Sequence, residues 1–587
     1  MSQARVGARL EVVAPRHVSD KSDLGLLVLL IAISVVVHGW IISQSVTCSK
    51  DGLGYGRYGW SLFHPTHDLP ADVTRNQLEI IQNNKHHPGF PLSVAVMAEI
   101  VTRAWDAPFP YQLARAVQVA SAFGALLLIL PSYWIGKLLC GKYPAFIIAL
   151  FTQILPVFAK DASDGLSDIT HLALAAFGLL FAIRGFRRPR IGQFLLAGLF
   201  SGLAYLVRPE GLSVALAITV VLALFVFTKR LPWKLAAMQF IALALGVLVA
   251  AGPYMFIIGA VTNKPSGQRI VNPVEVNPRV KMMQEGAAIP QAPALIARMI
   301  PPDVHGFNRF GLVCLTILEE TSKSSHHAVL VLAIAGLFVL RKQFIEHPEW
   351  YLLLVYALIH LALLFMLGMR GGEQHAVGGY ISERHTLPIS FVLIYLAIAG
   401  LEPLLSRLPW ISSFRTMMTH PWAARTIVLA IVISCVPALF KKLHSQHASH
   451  LEAAEYIREH YHFNDHLYDP YEWVRFYSGH LTKVIRPDWY RTAGHGYWLV
   501  WEAGDTTGPN SSPRWVATKK LLENPNAKLV FPEPGDERNQ QKGTVLVYWL
   551  PFTAEEIAAD AAEQKAAIEH DAANPNAPAK TRTRYGY

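Results

Sequence analysis

Residues 24–47 read LGLLVLLIAISVVVHGWIISQSVT, and His38 is the one ionisable side chain among them. A bilayer core needs about 20 apolar residues to be crossed as a helix. This stretch meets that length with no acidic or strongly basic group. It is also too long for a signal-peptide core, and no small-residue cleavage site of the A-x-A type follows it, so it reads as a retained first span.

Charge-free blocks recur along the chain as far as Phe440. They fall at 24–46, 115–136, 143–159, 169–183, 191–207, 212–228, 235–261, 326–340, 350–369, 386–401 and 426–440, which predicts about eleven transmembrane helices. Gly89–Trp105 is apolar but carries Glu99 and Arg103, and it is expected to lie in the interface rather than to span. The whole chain has 587 residues, 52% hydrophobic and 16% charged, against about 25% charged in soluble domains. A soluble, disordered or disulfide-scaffold protein is excluded by that balance. The four cysteines include no CxxC pair; Cys48 and Cys314 fall on one face, where a disulfide is the minority reading.

Net charge is +10, and its placement argues for membrane orientation rather than for a nucleic-acid partner. With the N-terminus inside, the inner segments carry Arg5, Arg9, Arg16 and Lys21, then Lys137 and Lys142, then Arg184, Arg187, Arg188 and Arg190. Lys229, Arg230 and Lys234 follow, then Arg341 and Lys342, then Arg407 and Arg415; only Lys441 and Lys442 go against the alternation. The outer face then holds Cys48–Arg115, Ala159–Asp168, the Arg208–Gly211 turn, Thr262–Ser325 and Arg370–His385.

Reactive side chains gather in those outer segments. Asp51 follows the first span, where a carboxylate is partly desolvated and meets a substrate whose other half is in lipid; an interfacial anchor is the equal alternative. Lys85-His86-His87-Pro88-Gly89-Phe90-Pro91 forms a rigid cationic corner suited to a phosphate, more than to a metal, since no third ligand is set by spacing. Asp161, Asp164 and Asp168 precede a span, where capping is the simplest role for any one of them. Arg208-Pro209-Glu210-Gly211 places an Arg and a Glu at membrane depth, costly unless they are paired or used. Arg370-Gly371-Gly372-Glu373-Gln374-His375 and then Glu383-Arg384-His385 lead into a late span, and Arg384 suits bidentate phosphate binding.

This order resembles the GT-C class of membrane glycosyltransferases, in particular the bacterial branch of protein mannosyltransferase-like and aminoarabinose-transferase-like enzymes. The resemblance lies in an Asp after the first span, a His-Pro turn into an interfacial helix, an acidic residue before the fourth span, an R-P-E-G turn after the fifth, and an Arg before a late span. It covers residues 20–440; Arg384-His385 stands where many members have Arg-Tyr, and the double acidic residue of the eukaryotic O-mannosyltransferase first loop is missing. It implies transfer of a sugar, with inversion, from a polyprenyl-phosphate donor to a lipid, glycan or protein acceptor outside a bacterial cytoplasmic membrane. By the resemblance Asp51 is a catalytic carboxylate and Asp168 the second acidic residue, while Lys85, His87 and Arg384 lie near the donor phosphate. Arg208 would add a cation there, with Asp164, Glu210 and His385 in support. No cofactor is required by these residues, and a divalent metal is compatible with them. The rival is a transporter or flippase of lipid-linked sugars; charges on one face and no internal repeat favour the enzyme.

The organisation expected is a cytoplasmic segment over 1–23, the membrane catalytic domain over 24–440, an extracytoplasmic α/β domain over 441–552 and a helical, then disordered, tail over 553–587. In the soluble part His450–Arg458 has a helical pattern, and the apolar runs Trp498–Trp501, Lys528–Phe531 and Thr544–Trp549 predict strands. Thr553–His570 predicts an Ala- and Glu-rich helix.

Overall fold

The computed structural model describes residues 21–64, 77–264, 299–300, 306–347, 349–370, 379–407, 420–462, 465–480, 491–505 and 513–573. Arg5, Arg9, Arg16, Arg415, the Glu373-Gln374-His375 stretch and the tail from 574 onward lie outside the described residues. Each of the eleven charge-free blocks falls on helix. Helical pairing is what a membrane demands, because lipid offers backbone N–H and C=O groups no other partner.

Among the described residues, eight helices are long and apolar enough to cross a membrane, and ten candidate spans result if two bent pairs each count as one. Ile191–Val207 is a further apolar helix, shorter at 17 residues. Block 143–159 is not straight: Lys142–Ile154 and Pro156–Ser163 meet at 56°. Pro156 forces the residue before it out of the helical region, and Leu155 accordingly sits at ψ 134°. Large apolar side chains such as Val36, Phe227, Val249 and Phe256 point outward and are mostly exposed. Exposed apolar surface of that extent is what hydrocarbon would cover.

The interior is packed around Phe151, Phe158, Leu172, Phe194, Trp350, Phe391 and Tyr395, all fully buried or nearly so. At the end carrying the basic loops, Asp23 accepts from Tyr133 Oη at 2.6 Å and pairs with Lys137, and Arg187 pairs with Glu349. These contacts tie the bundle at the end away from Asp51.

Three segments expected as outer loops are helical. Lys50–Phe63 is a helix despite four glycines, and Gly59 shows why: a Cβ there would sit 2.4 Å from the Pro91 carbonyl oxygen. Close contact with the Gly89–Ala104 helix replaces the low helix propensity of glycine as the deciding term. Pro156–Ser163 turns the first half of the Ala159–Asp168 segment into helix, and Gly306–Ser325 does the same at the end of Thr262–Ser325, meeting the next helix at 106°. The four cysteines are free, Cys48 buried and Cys314 exposed.

Among the described residues, the soluble part holds a four-stranded sheet. His466–Tyr468 runs parallel to Gly496–Glu502, which pairs antiparallel with Val545–Pro551, and Lys528–Phe531 closes the other edge of Val545–Pro551. Helix Ala448–His460 packs beside it, and Ala554–Ala573 starts with Thr553 and Glu556 capping each other's backbone N–H. Trp473, Val474 and Phe476 share one apolar cluster with Cys48, Leu53 and Leu113. The sheet domain therefore rests directly on the loop and helix that carry Asp51.

Candidate active site

Ser49, not Asp51, caps the Lys50–Phe63 helix: its Oγ accepts from the Gly52 N–H at 3.1 Å. The Asp51 carboxylate is left to other partners, and Arg384 Nη1 donates to its Oδ2 at 2.7 Å. Arg384 sits on a 3₁₀ turn, Glu383–Thr386, closed by a reciprocal Ser382–His385 cap. His385 takes the Ser382 N–H on Nδ1 at 3.2 Å, so it shapes the turn that aims Arg384. Burial alone would raise the Asp51 carboxyl, but the Arg384 guanidinium, with His86 and Lys85 behind it, holds it at about 2.

A second ion pair lies alongside. Arg208 Nη1 donates to Asp168 Oδ1 at 2.5 Å, while its Nε is 3.5 Å from Glu210 Oε2. The Arg–Glu pair within R-P-E-G exists, but the shorter contact is to Asp168 Oδ1; the buried Oδ2 of Asp168 has no hydrogen-bond partner among the described residues. Lys264 Nζ approaches Glu210 Oε1 at 3.4 Å, adding a cation that no motif marks in the sequence.

A cavity of about 230 Å³ opens at this surface, lined by Asp51, Lys160, Asp161, Asp164, Glu383 and Arg384 among others. Asp161, Asp164 and Glu383 are the carboxylates that line it with Asp51, and Asp168 is not among the lining residues. Asp161 is 2% exposed, and among the described residues its Oδ2 has no hydrogen-bond partner. A buried carboxylate oxygen left unpaired is costly unless a ligand uses it. Asp164 Oδ1 is held by His444 Nε2 at 2.5 Å, and Lys160 pairs with Glu383 at 2.9 Å. Gly165, at φ +74°, turns the chain so that the Asp164 carbonyl receives the Ser49 N–H at 3.1 Å.

The cationic corner divides. Lys85 is exposed and near enough to Asp51 to influence it. His87 is buried, with Nδ1 2.7 Å from the Tyr205 carbonyl and Nε2 2.8 Å from Thr262 Oγ1, so both nitrogens are committed within the protein. His86 faces the site instead, its ring edge-on to Tyr55 at 4.8 Å. Burial, with Lys85 beside it, lowers the His86 imidazole to about 4, so it is neutral near pH 7. Tyr55 Oη meets Ser167 Oγ at 3.1 Å, and burial with the Asp51 charge lifts its phenol to about 12.

The chain and its fold are similar to known proteins. Residues 105–255 match a family model described as dolichyl-phosphate-mannose-protein mannosyltransferase. The fold is similar to ArnT from Cupriavidus metallidurans bound to undecaprenyl phosphate, at TM-score 0.53 and 14% identity, covering 89% of this chain and 98% of that one. The chain has a GT-C membrane fold. The apo state of the same ArnT matches at TM-score 0.51 and 14% identity, over 90% of this chain and 98% of that one. AglB of Archaeoglobus fulgidus, an oligosaccharyltransferase in complex with an inhibitory peptide and a dolichol-phosphate, matches at TM-score 0.44 and 14% identity over 75% of this chain. This chain spans 58% of that protein's length. No curated protein sequence matches the chain.

In this GT-C fold the soluble domain reaches the site, which no sequence signal announced. Arg57 Nη1 pairs with Glu472 at 2.8 Å, Lys50 Nζ donates to the Pro470 carbonyl at 3.2 Å, and Thr47 Oγ1 meets Tyr477 Oη at 2.7 Å. With His444 on Asp164, these contacts clasp both sides of the Asp51 cavity. The sequence marks neither Tyr55 nor Lys264 nor His444, and it leaves Asp161 open beside Asp164 and Asp168 as the second acidic residue.

Proposed function

We propose that the protein is a glycosyltransferase that moves a sugar from a polyprenyl-phosphate donor to an acceptor on the outer side of a bacterial cytoplasmic membrane, with Asp51 as the catalytic carboxylate. The complex of ArnT with undecaprenyl phosphate suggests the donor class, and the cavity supplies the chemistry. The observation that carries the reading is the Asp51–Arg384 pair at 2.7 Å, facing Asp161 across one cavity beside apolar helices.

In the reaction the acceptor hydroxyl attacks the anomeric carbon from the side opposite the phosphate. The new C–O bond forms as the bond to the phosphate oxygen breaks, and inversion follows. Asp51 takes the hydroxyl proton, and the electron pair leaves on polyprenyl phosphate. Phosphate is a good leaving group, so cations rather than a strong acid are needed at that end. Arg384, Lys85, Arg208 and Lys264 supply them. A donor phosphate that engages Arg384 draws it from Asp51, whose basicity then rises as the proton must be taken. Asp161, buried and short of one partner, orients the acceptor or sugar hydroxyls. His87 serves the wall of the site rather than the phosphate, because both its nitrogens are already used.

The test is Asp51→Asn in membranes supplied with labelled polyprenyl-phosphate sugar. Loss of a positioned base costs about 10²–10⁴ in rate. Transfer at the wild-type rate by correctly folded Asp51→Asn would refute the role of this carboxylate.

A further inference from the structure

The linker between the last span and the sheet reads His444-Ser445-Gln446-His447-Ala448-Ser449-His450. Three histidines stand at intervals of three: His444 precedes the 3₁₀ turn Ser445–His447, His447 ends it, and His450 lies on the helix Ala448–His460 that follows. That spacing brings successive rings to one side. His444 is spent on Asp164 at 2.5 Å, but the other two turn toward the sheet and meet Glu502, at the end of the central strand Gly496–Glu502.

Donor atoms of His447, His450 and Glu502 all lie within 4.8 Å of one another. His450 is fully buried, and among the described residues neither of its ring nitrogens has a hydrogen-bond partner; Nδ1 of His447 has none either. Glu502 Oε1 comes to 3.0 Å from His450 Nε2, yet the two are not aligned as donor and acceptor. Buried imidazole nitrogens without partners are uncommon because each forfeits its bond to water. Here they converge with a carboxylate, the donor set that zinc takes in N/O sites. Neighbouring rings hold the ligands in place: His447 stacks on Trp473 at 3.9 Å, and His450 stands edge-on to Tyr471 and Trp473 at 5.5 Å. Tyr471 Oη in turn accepts the Glu502 N–H at 3.2 Å and donates to Asp505 at 2.7 Å. Partners behind the ligands of this kind orient metal sites.

We propose that His447, His450 and Glu502 bind one divalent transition metal of the zinc class, with solvent completing the coordination. Tetrahedral bonds of 2.0–2.1 Å place donor atoms about 3.4 Å apart, a small contraction of the cluster. The metal cross-links the start of helix Ala448–His460 to the central strand. It thereby fixes the turn from which His444 reaches Asp164 in the cavity wall. The proposal does not rest on the sugar-transfer reading, since it concerns side chains outside that cavity.

Tag-free full-length protein in detergent, stripped with chelator and reloaded with zinc, is expected to hold one zinc per chain by elemental analysis. Cobalt in its place should give the visible absorption of a four-coordinate N/O site. Glu502→Gln, a change at a part-exposed position, and His447→Asn/His450→Asn should each weaken zinc binding by more than the about 10–100-fold typical of changes behind the ligands. Asp51→Asn and Asp161→Asn should retain it. Wild-type protein that binds no zinc, or zinc that survives Glu502→Gln and the double histidine change, overturns the proposal. So does zinc lost from the Asp51 or Asp161 variant instead, which would move the metal to the cavity.

Discussion

Gly165→Ala tests how the cavity is built. Gly165 has φ +74°, and a Cβ at that position would lie 2.6 Å from Val117 Cγ1. The left-handed conformation costs a residue with a Cβ about 1–2 kcal/mol, and overpacking a rigid neighbour adds about 1–3 kcal/mol. Together these give about 2–5 kcal/mol, enough to move the turn rather than compress it. The Asp164 carbonyl then leaves the Ser49 N–H, now 3.1 Å away, and the start of the helix bearing Asp51 shifts with it. A displacement near 1 Å costs about 10²-fold in rate when reacting groups must align. The assay pairs thermal stability in detergent with transfer from a labelled polyprenyl-phosphate sugar, for Gly165→Ala, Val117→Ala and the double variant. Val117→Ala removes the clash but not the backbone strain, so the double variant should recover the steric share and only part of the lost rate. A single variant as stable and active as wild type would refute the reasoning, and so would a double variant no better than Gly165→Ala.

Arg384→Gln should change the acid limb. In wild type the Asp51 carboxyl stands at about 2 against an ordinary 3.8, so its contribution to stability is complete above pH 3.8 and is lost as pH falls through about 2. Without the guanidinium, burial dominates and the carboxyl moves above 3.8; acid unfolding and the acid limb of residual transfer should both shift upward, and an unchanged limb contradicts the pairing. His87→Ala removes partners from the buried Tyr205 carbonyl and from Thr262. The expected result is a loss of about 2–4 kcal/mol in stability with donor KM unchanged in the folded fraction. A raised KM at normal stability would return His87 to the phosphate.

Much of the membrane architecture is written locally. A run such as Leu24–Thr47 can satisfy its backbone in lipid only as a helix, so hydropathy alone finds it. Short helices are less legible. The glycines of Lys50–Phe63 suggest a loop until Gly59 is seen against Pro91, and the bend at Leu155-Pro156 divides a block that hydropathy reads as one. In the soluble part, alternation and turn residues located three of the strands; the fourth, His466–Tyr468, is too short to show a period.

The sequence by itself determined that this is a multi-pass helical protein whose reactive side chains gather between spans, because desolvation penalties make charge position along an apolar chain hard to vary. It also singled out Asp51 and Arg384 as worth their cost near lipid. Only the tertiary structure decided who pairs with whom. Asp51 and Arg384 are 333 residues apart, Asp164 and His444 are 280 apart, and Arg57 and Glu472 are 415 apart. Pairings at such separations depend on how helices pack and where the soluble domain docks, and local pattern carries neither. That is why Asp168, the residue nearest the helix start, is found bound to Arg208, while Asp161 faces the cavity with Asp51.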